Sequence, residues 1–373
     1  MARRALGVPV RTDRKDMAVR LLTSAGRRTR HLAVGLAALV FVVSAQAEPI
    51  RGAGSTFAAP IIEQWSRAYE AGRADGRDYV SPDWRVDYER VGSLAGIMRL
   101  AQPDMDFAAT DAPLAPEEIG RRGWAQFPIV MGGVVVVTSI DKVATGRLRL
   151  TGALLADIYL GKIRNWSDAA IRTLNPDLDL PDATIEVLHR QDGSGSTFAF
   201  TSLLAKASPE WRDKLGADTV IRWPVGRGET GTGGLAALAA ATRNSITYLE
   251  YGQVVRAGLP FALLQNRAGA FVRPEPASFG AALAGMDWQA GRHFQVDPID
   301  AAGPGAYPLA TVTYAVLPGD RGAERVGRVL DLFRLAFGRD PEGVRALGYI
   351  PVSPELARQI GTYWAAFQRP AGR

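Results

Sequence analysis

Residues 185 to 200 read Ile-Glu-Val-Leu-His-Arg-Gln-Asp-Gly-Ser-Gly-Ser-Thr-Phe-Ala-Phe. Ile185, Val187 and Leu188 have the β-propensity of a strand. From Thr197 to Ala205, helix formers and apolar residues recur at helical spacing. Between the two, Asp192-Gly193-Ser194-Gly195-Ser196 makes a tight turn without a bulky side chain. A helix N-terminus leaves its first N–H groups unpaired and carries partial positive charge, so a Gly/Ser turn entering one makes an anion cradle. Arg190 stands just before the turn, and its planar fork suits two-point contact with an oxyanion. Ser194 and Ser196 add hydroxyl donors. The plainer alternative is a strand followed by a helix that the serines cap. Two enzyme motifs are excluded. No lysine follows Gly195 as a Walker A loop requires, and Asp192 stands where a nucleophile elbow needs glycine.

The strand-turn-helix pattern recurs toward the N-terminus. Residues 51 to 60, Arg-Gly-Ala-Gly-Ser-Thr-Phe-Ala-Ala-Pro, read as a small-residue turn entering a helix over 61–69, with Trp65 and Tyr69 on one face. Residues 71–84 read as a polar surface loop. A short strand at 86–90 meets the turn Val91-Gly92-Ser93 and a helix over 94–101. A buried strand within 106–114 delivers Asp111 to a loop. This alternation predicts α/β layers around a mostly parallel sheet, with ligands bound beyond the carboxyl ends of strands.

Two β-branched runs, 132–139 and 310–317, read as paired strands where the chain leaves one domain and returns to it. The middle then forms a second domain holding the Gly-rich stretch 226–234, followed by a helix over 235–242. Ser353-Pro354 signals a helix start, and Leu356, Ile360 and Trp364 share its face. The expected division is a leader at 1–47, a discontinuous lobe of 48–131 and 307–373, and a second lobe of 132–306. Two crossings between lobes predict a hinge with the ligand between them.

Residues 1–47 read as an export signal. Arg27, Arg28 and Arg30 form a basic end, 32–43 is apolar or small, and Ala45-Gln46-Ala47 is a small-x-small cleavage site. The alternative, a membrane anchor, needs about 20 apolar residues. Translation starts at Met1 or Met17. Nine of the 44 Lys/Arg and two of the 38 Asp/Glu fall in this segment, leaving 35 basic and 36 acidic side chains. The mature chain is thus near neutral, and bulk basicity gives no support to nucleic-acid binding. The absence of cysteine excludes disulfides, thiolate metal sites and a lipidated cysteine. The remaining length suffices for two domains stabilised by their own cores.

The turns at Thr56-Phe57, Ser93 and Ser194-Gly195-Ser196 gather many donors, and Asp111 is the lone acceptor among them. A tetrahedral anion that still carries a proton needs such an acceptor. Catalysis has less to draw on. His189 alternates to the face opposite Arg190, and His293 falls in a polar stretch that reads as surface. No histidine pair has metal-ligand spacing, so neither metal nor cofactor is expected. Glu117 and Glu118 complement a helix start rather than form a catalytic pair.

These segments resemble the PstS-type family, the periplasmic phosphate-binding proteins of ABC phosphate importers, from Gly52 to about Phe367. The pieces that carry the resemblance are Gly52 to Pro60, Asp106 to Leu114, Asp157 to Trp166, Arg190 to Phe198 and Ile246 to Tyr251, in order and at similar intervals. The resemblance implies an α/β, two-lobed type II periplasmic binding fold with a double-strand hinge, monomeric, closing on inorganic phosphate and presenting it to a membrane permease. It implies anion contacts from Thr56, Phe57, Ser93, Asp111, Arg190, Ser194, Gly195 and Ser196, where Ser196 replaces the usual threonine. Asp192 is then the acidic neighbour that orients Arg190. Leu94 and Ala95 depart from the small residues usual after Ser93. The competing expectations are a receptor for another tetrahedral oxyanion, an exported hydrolase using Ser194, and a sensor with the same site.

Overall fold

The computed structural model describes residues 49–74 and 85–368. The expected leader and most of the expected 71–84 loop lie outside the described residues; 71–74 continue a helix. The strands are β1 Ile50–Gly54, β2 Val86–Glu89, β3 Phe107–Thr110, β4 Trp124–Ser139, β5 Arg149–Leu150 and β6 Glu186–Arg190. They continue with β7 Arg227–Glu229, β8 Ser245–Glu250, β9 Leu263–Gln265, β10 Phe271–Val272 and β11 Ala310–Pro318. Eight form one sheet in the order β2-β1-β3-β11-β4-β8-β6-β7, and β10-β9-β5 form a small second one. At one end β1 runs parallel to β2 and β3; at the other β6 runs parallel to β7 and β8. Antiparallel pairing of β4 and β11 joins the two triplets. The sheet is therefore mixed, with its parallel parts at the two ends.

The two β-branched runs do not pair along their length, as their composition suggested. β11 pairs with Trp124 to Gly133, and Val134 to Ser139 pair with β8 instead. The first half of β4 was hidden because Gln126 and Pro128 are poor strand formers. Pro128 sits at the register shift opposite Thr313 and Tyr314, a bulge being where a strand tolerates proline. The small-residue stretch after Ile50 is likewise a strand, not all turn. A Cβ on Gly52 would lie 2.2 Å from the Phe107 ring. Gly54 has φ +135°, and a Cβ there would lie 2.1 Å from the Ala109 carbonyl oxygen. Close strand approach, rather than chain reversal, demands these glycines.

Two large hydrophobic cores share β4. One gathers Phe127, Ile129 and Val130 with Trp65, Tyr69, Phe333, Ile360 and Trp364. Phe127 meets the edges of Phe333 and Trp364 at centroid distances of 5.4 and 5.0 Å. The Trp364 helix, Pro354–Phe367, is capped by Ser353, whose Oγ accepts from Leu356 N at 3.2 Å. The other core gathers Val134 to Val137 with Phe200, Leu204, Trp211 and Tyr248. All four valines are buried, because this part of β4 is covered on both faces. Each such side chain contributes about 1.5–3 kcal/mol. Among the described residues, no helix is long and apolar enough to cross a membrane.

The cores meet at Gly132 and Gly133. A Cβ on Gly132 would lie 2.8 Å from the Phe57 ring, and one on Gly133 2.3 Å from that of Phe279. Gly133→Ala is expected to lower stability by about 1–3 kcal/mol through overpacking, measured by urea unfolding. An unchanged midpoint would contradict this packing.

Candidate anion-binding site

Six strands end toward the middle of the sheet, where the two parallel triplets run toward each other: β3 ends at Thr110 opposite Tyr314, and β8 at Glu250 opposite Val134. Beyond β1 stand Ser55, Thr56 and Phe57; beyond β2, Gly92 and Ser93; beyond β3, Asp111. Beyond β6 come Asp192 to Ser196, beyond β7 Thr232, and β8 itself ends in Glu250. The carboxyl ends of parallel strands thus converge.

Arg190 is the buried cation of this cluster, 3% exposed. Its Nε donates to Asp192 Oδ1 at 2.5 Å and its Nη2 to Asp192 Oδ2, a bidentate pair. Burial opposes both charges, but the pair more than offsets it: the Arg190 pKa is raised and that of Asp192 lowered. Asp192 Oδ1 also accepts from Gly231 N at 3.1 Å. Arg190 Nη1 is thereby turned to Thr56 Oγ1 and Thr232 Oγ1, each 3.3 Å away.

Tyr88 and Tyr349 donate their hydroxyls to the carbonyls of Ser55 and Phe57, at 3.0 and 2.5 Å, and so fix the first turn. Ser55 N donates to Ala109 O and Ala58 N to Ser55 Oγ. Among the described hydrogen bonds, the intervening N–H groups of Thr56 and Phe57 have no acceptor. In the helix Gly195–Ala207, the Ser194 hydroxyl accepts from Thr197 N at 3.4 Å as the N-cap. Gly195 and Ser196, both buried, occupy its first two positions.

Asp111, 5% exposed, is encircled by hydroxyls. Ser55 Oγ lies 2.8 Å from both carboxylate oxygens, Thr313 Oγ1 2.6 Å from Oδ1, and Ser93 Oγ 3.4 Å from Oδ2. A carboxylate offers about four lone-pair directions. Three hydroxyl donors leave room for one further proton.

Backbone meets backbone where the two halves of the site touch. Leu94 N donates to Gly193 O at 3.3 Å. A Cβ on Gly195 would lie 2.5 Å from Asp111 Oδ2, and one on Gly193 2.5 Å from Leu94 Cβ. Leu94 therefore neither points into its own core nor fills the site. It lies against Gly193 at the mouth, 39% exposed.

All nine residues singled out from sequence, from Thr56 to Ser196, fall in or beside this cluster. Ser55, Thr232, Glu250 and Thr313 were missed. Thr313 breaks the apolar run 310–317 and Glu250 ends that of 246–249, which are usable signals. The sequence pattern starts the helix at Leu235, after Thr232, whereas the helix is Gly231–Ala241 and includes it. Asp111 is also not the lone acceptor, since Glu250 is a second buried carboxyl. His189 stacks on Trp223 at 4.9 Å, its Nδ1 3.1 Å from Arg190 O. His293 is half-buried rather than on the surface, with Nδ1 2.7 Å from the Tyr363 hydroxyl.

Residues 29–330 match the family model described as a PBP superfamily domain. The chain is 39% identical over 318 residues to the phosphate-binding protein PstS of Xylella fastidiosa, covering 85% of each chain. It is 35% identical over 325 residues to PstS of Pasteurella multocida, covering 87% of this chain and 92% of that one. Its fold matches that of a high-affinity periplasmic phosphate-binding protein (PfluDING) solved with bound phosphate. That match has a TM-score of 0.65 and 17% identity, over 84% of this chain and 93% of the other.

Burial pushes the Asp111 carboxyl up to about 6; the neighbouring Glu250 adds to this, and the bonds from Thr313, Ser55 and Ser93 oppose it. The folded state then holds the Asp111 proton more tightly than the unfolded state. Stability from this group is present at low pH and lost as pH rises through about 6, by about 3 kcal/mol in all. Asp111→Asn lacks this loss. Relative to wild type, it is expected to gain stability between about pH 4 and pH 8 in oxyanion-free buffer, measured by denaturant unfolding. Parallel pH profiles would contradict the assignment.

Proposed function

This chain belongs to the PBP superfamily and, within it, to the PstS-type phosphate-binding proteins, and from that membership we propose that it binds inorganic phosphate. It does so in the periplasm and delivers the anion to the permease of an ABC importer. The observation that carries this reading is the convergence of N–H and hydroxyl donors on a buried guanidinium, beside a carboxylate with one lone-pair direction open.

Each group has a role in that reading. Arg190 turns Nη1 to a phosphate oxygen in place of one of its two 3.3 Å threonine contacts, while Asp192 holds the rest of its fork. The amides of Thr56, Phe57, Ser93, Gly195 and Ser196 and the hydroxyls of Thr56, Ser194 and Ser196 donate to the remaining oxygens. Asp111 accepts the phosphate O–H. The lobes, 48–131 with 307–373 and 132–306, part about β4 and β11 near Gly132 and Gly133. Leu94 closing on Gly193 excludes water from the mouth.

The chain binds and does not catalyse. The Ser194 hydroxyl caps its helix, and His189 is stacked on Trp223 with its Nδ1 turned to a carbonyl. Neither supplies the nucleophile and base of a hydrolase.

Calorimetry of the mature protein, stripped of ligand, tests the reading. Phosphate is expected to bind, and sulfate, which has no proton for Asp111, to be rejected by about 10⁴–10⁵. Sulfate bound within about tenfold of phosphate would contradict it. Arg190→Lys loses the fork and is expected to cost about 1.5–3 kcal/mol, or roughly ten- to a hundredfold in affinity. Unchanged affinity would remove Arg190 from the site.

A further inference from the structure

β11 and β3 pair antiparallel, with Tyr314 opposite Thr110 and Ala315 opposite Ala109. Continued by one residue, that register sets Thr313 opposite Asp111. Opposed residues on one face of a strand pair come within reach of each other. Thr313 Oγ1 does so, lying 2.6 Å from Asp111 Oδ1. The register of β11 against β4 shifts between Thr313 and Tyr314, and a bulge re-aims the side chains beside it. Thr313 is fully buried, at 0% exposure.

Counting hydrogen bonds fixes which Asp111 oxygen stays open. Among the described hydrogen bonds, the Thr313 hydroxyl has Asp111 as its sole partner. Were it to accept from Asp111, its own buried proton would be left unpaired, so Thr313 donates and Oδ1 accepts. Ser93 Oγ accepts from Asp111 N at 3.1 Å and turns its proton to Oδ2, 3.4 Å away. Ser55 Oγ accepts from Ala58 N at 3.1 Å and can give its proton to either oxygen, each 2.8 Å away. The two oxygens face different ways. Oδ1 faces β11, whereas a Cβ on Gly195 would lie 2.5 Å from Oδ2. Oδ2 therefore looks toward the first residue of the anion helix. With Thr313 and Ser55 filling the lone pairs of Oδ1, the direction left for a ligand proton is on Oδ2.

We propose that Thr313 is a positioning residue of the anion site: its bond to Asp111 Oδ1 keeps Oδ2 turned to the cleft as the atom that accepts the phosphate proton, and so sets the discrimination between phosphate and sulfate. The inference rests on the phosphate reading and deepens it. Thr313 touches no anion and acts through Asp111. Without its hydroxyl, Oδ1 loses a donor where water cannot replace it. The carboxyl is then freer to turn, and burial favours its protonated form. A protonated Asp111 donates to sulfate as readily as to phosphate, so the selection weakens.

The test is competition calorimetry of phosphate against sulfate at neutral pH. It compares wild type with Thr313→Val, Thr313→Ser, Asp111→Asn and the Thr313→Val/Asp111→Asn double variant. Thr313→Val is expected to narrow the phosphate-to-sulfate ratio by about ten- to a hundredfold, the worth of a hydrogen bond to a charged group. Thr313→Ser keeps a hydroxyl and is expected to restore the ratio to within about threefold of wild type. Asp111→Asn has no carboxylate to position, so adding Thr313→Val to it is expected to change the ratio by less than about threefold. The wild-type ratio in Thr313→Val would overturn the proposal. So would a serine variant no better than the valine one, or an equal loss in both backgrounds, which would make Thr313 a packing residue only. Thr313→Ala supplies the same comparison if the valine variant does not fold. Wild type that binds no phosphate would remove the phosphate reading, and the role of Thr313 with it.

Discussion

A charge taken out of water must be answered within a few ångströms, and Arg190 imposes that demand on everything around it. Asp192 answers it through two hydrogen bonds. Glu250 also acts on it, so two carboxyls face this guanidinium, and Asp111 is buried in the same cluster. The site is therefore not an electropositive hole. In the proposed reading its pull on an anion comes from N–H and O–H dipoles held in fixed directions, which act strongly where water is excluded. Fixing those directions is the work of the surrounding structure. Tyr88 and Tyr349 pin the first turn, Ser194 caps the second, and two parallel triplets running toward each other bring both to the middle of the sheet.

Closure adds a second constraint. Donors from the two halves reach a common point only if their backbones touch, and the seam leaves no space for side chains at several positions. Gly92 has φ +86°, and a Cβ there would lie 2.5 Å from the Gly193 carbonyl oxygen. Gly193 is pressed by Leu94, and Gly195 by Asp111 and Ser93. The apolar Leu94 is tolerated because glycine faces it across the cleft. Two of these glycines lie in the turn after Arg190 and at the start of its helix, so one short stretch supplies the charge, the free amides and the room to close.

That compactness explains what the sequence made legible. Arg190, Asp192, Ser194 and the helix start are neighbours in the chain, and their chemistry follows from local propensity alone. The α/β alternation and the turns at Thr56 and Ser93 were readable for the same reason. Thr313 was not: it reaches Asp111 across 202 positions, through a strand register that no local pattern states. Thr232 reaches Arg190 only because β7 ends beside β6. The first half of β4 was obscured by Pro128, whose place at a bulge depends on β11. The glycines of β1 read as a turn because composition cannot tell a reversal from a close strand packing.

A crystal structure of the protein grown with inorganic phosphate tests the central claim most directly. The account expects one anion held by Thr56, Ser93, Arg190, Ser194 and Ser196, with one oxygen about 2.5–2.7 Å from the Asp111 carboxylate, the distance of a charge-assisted O–H···O bond. An anion bound elsewhere, or one in the site with Asp111 turned away, would contradict it.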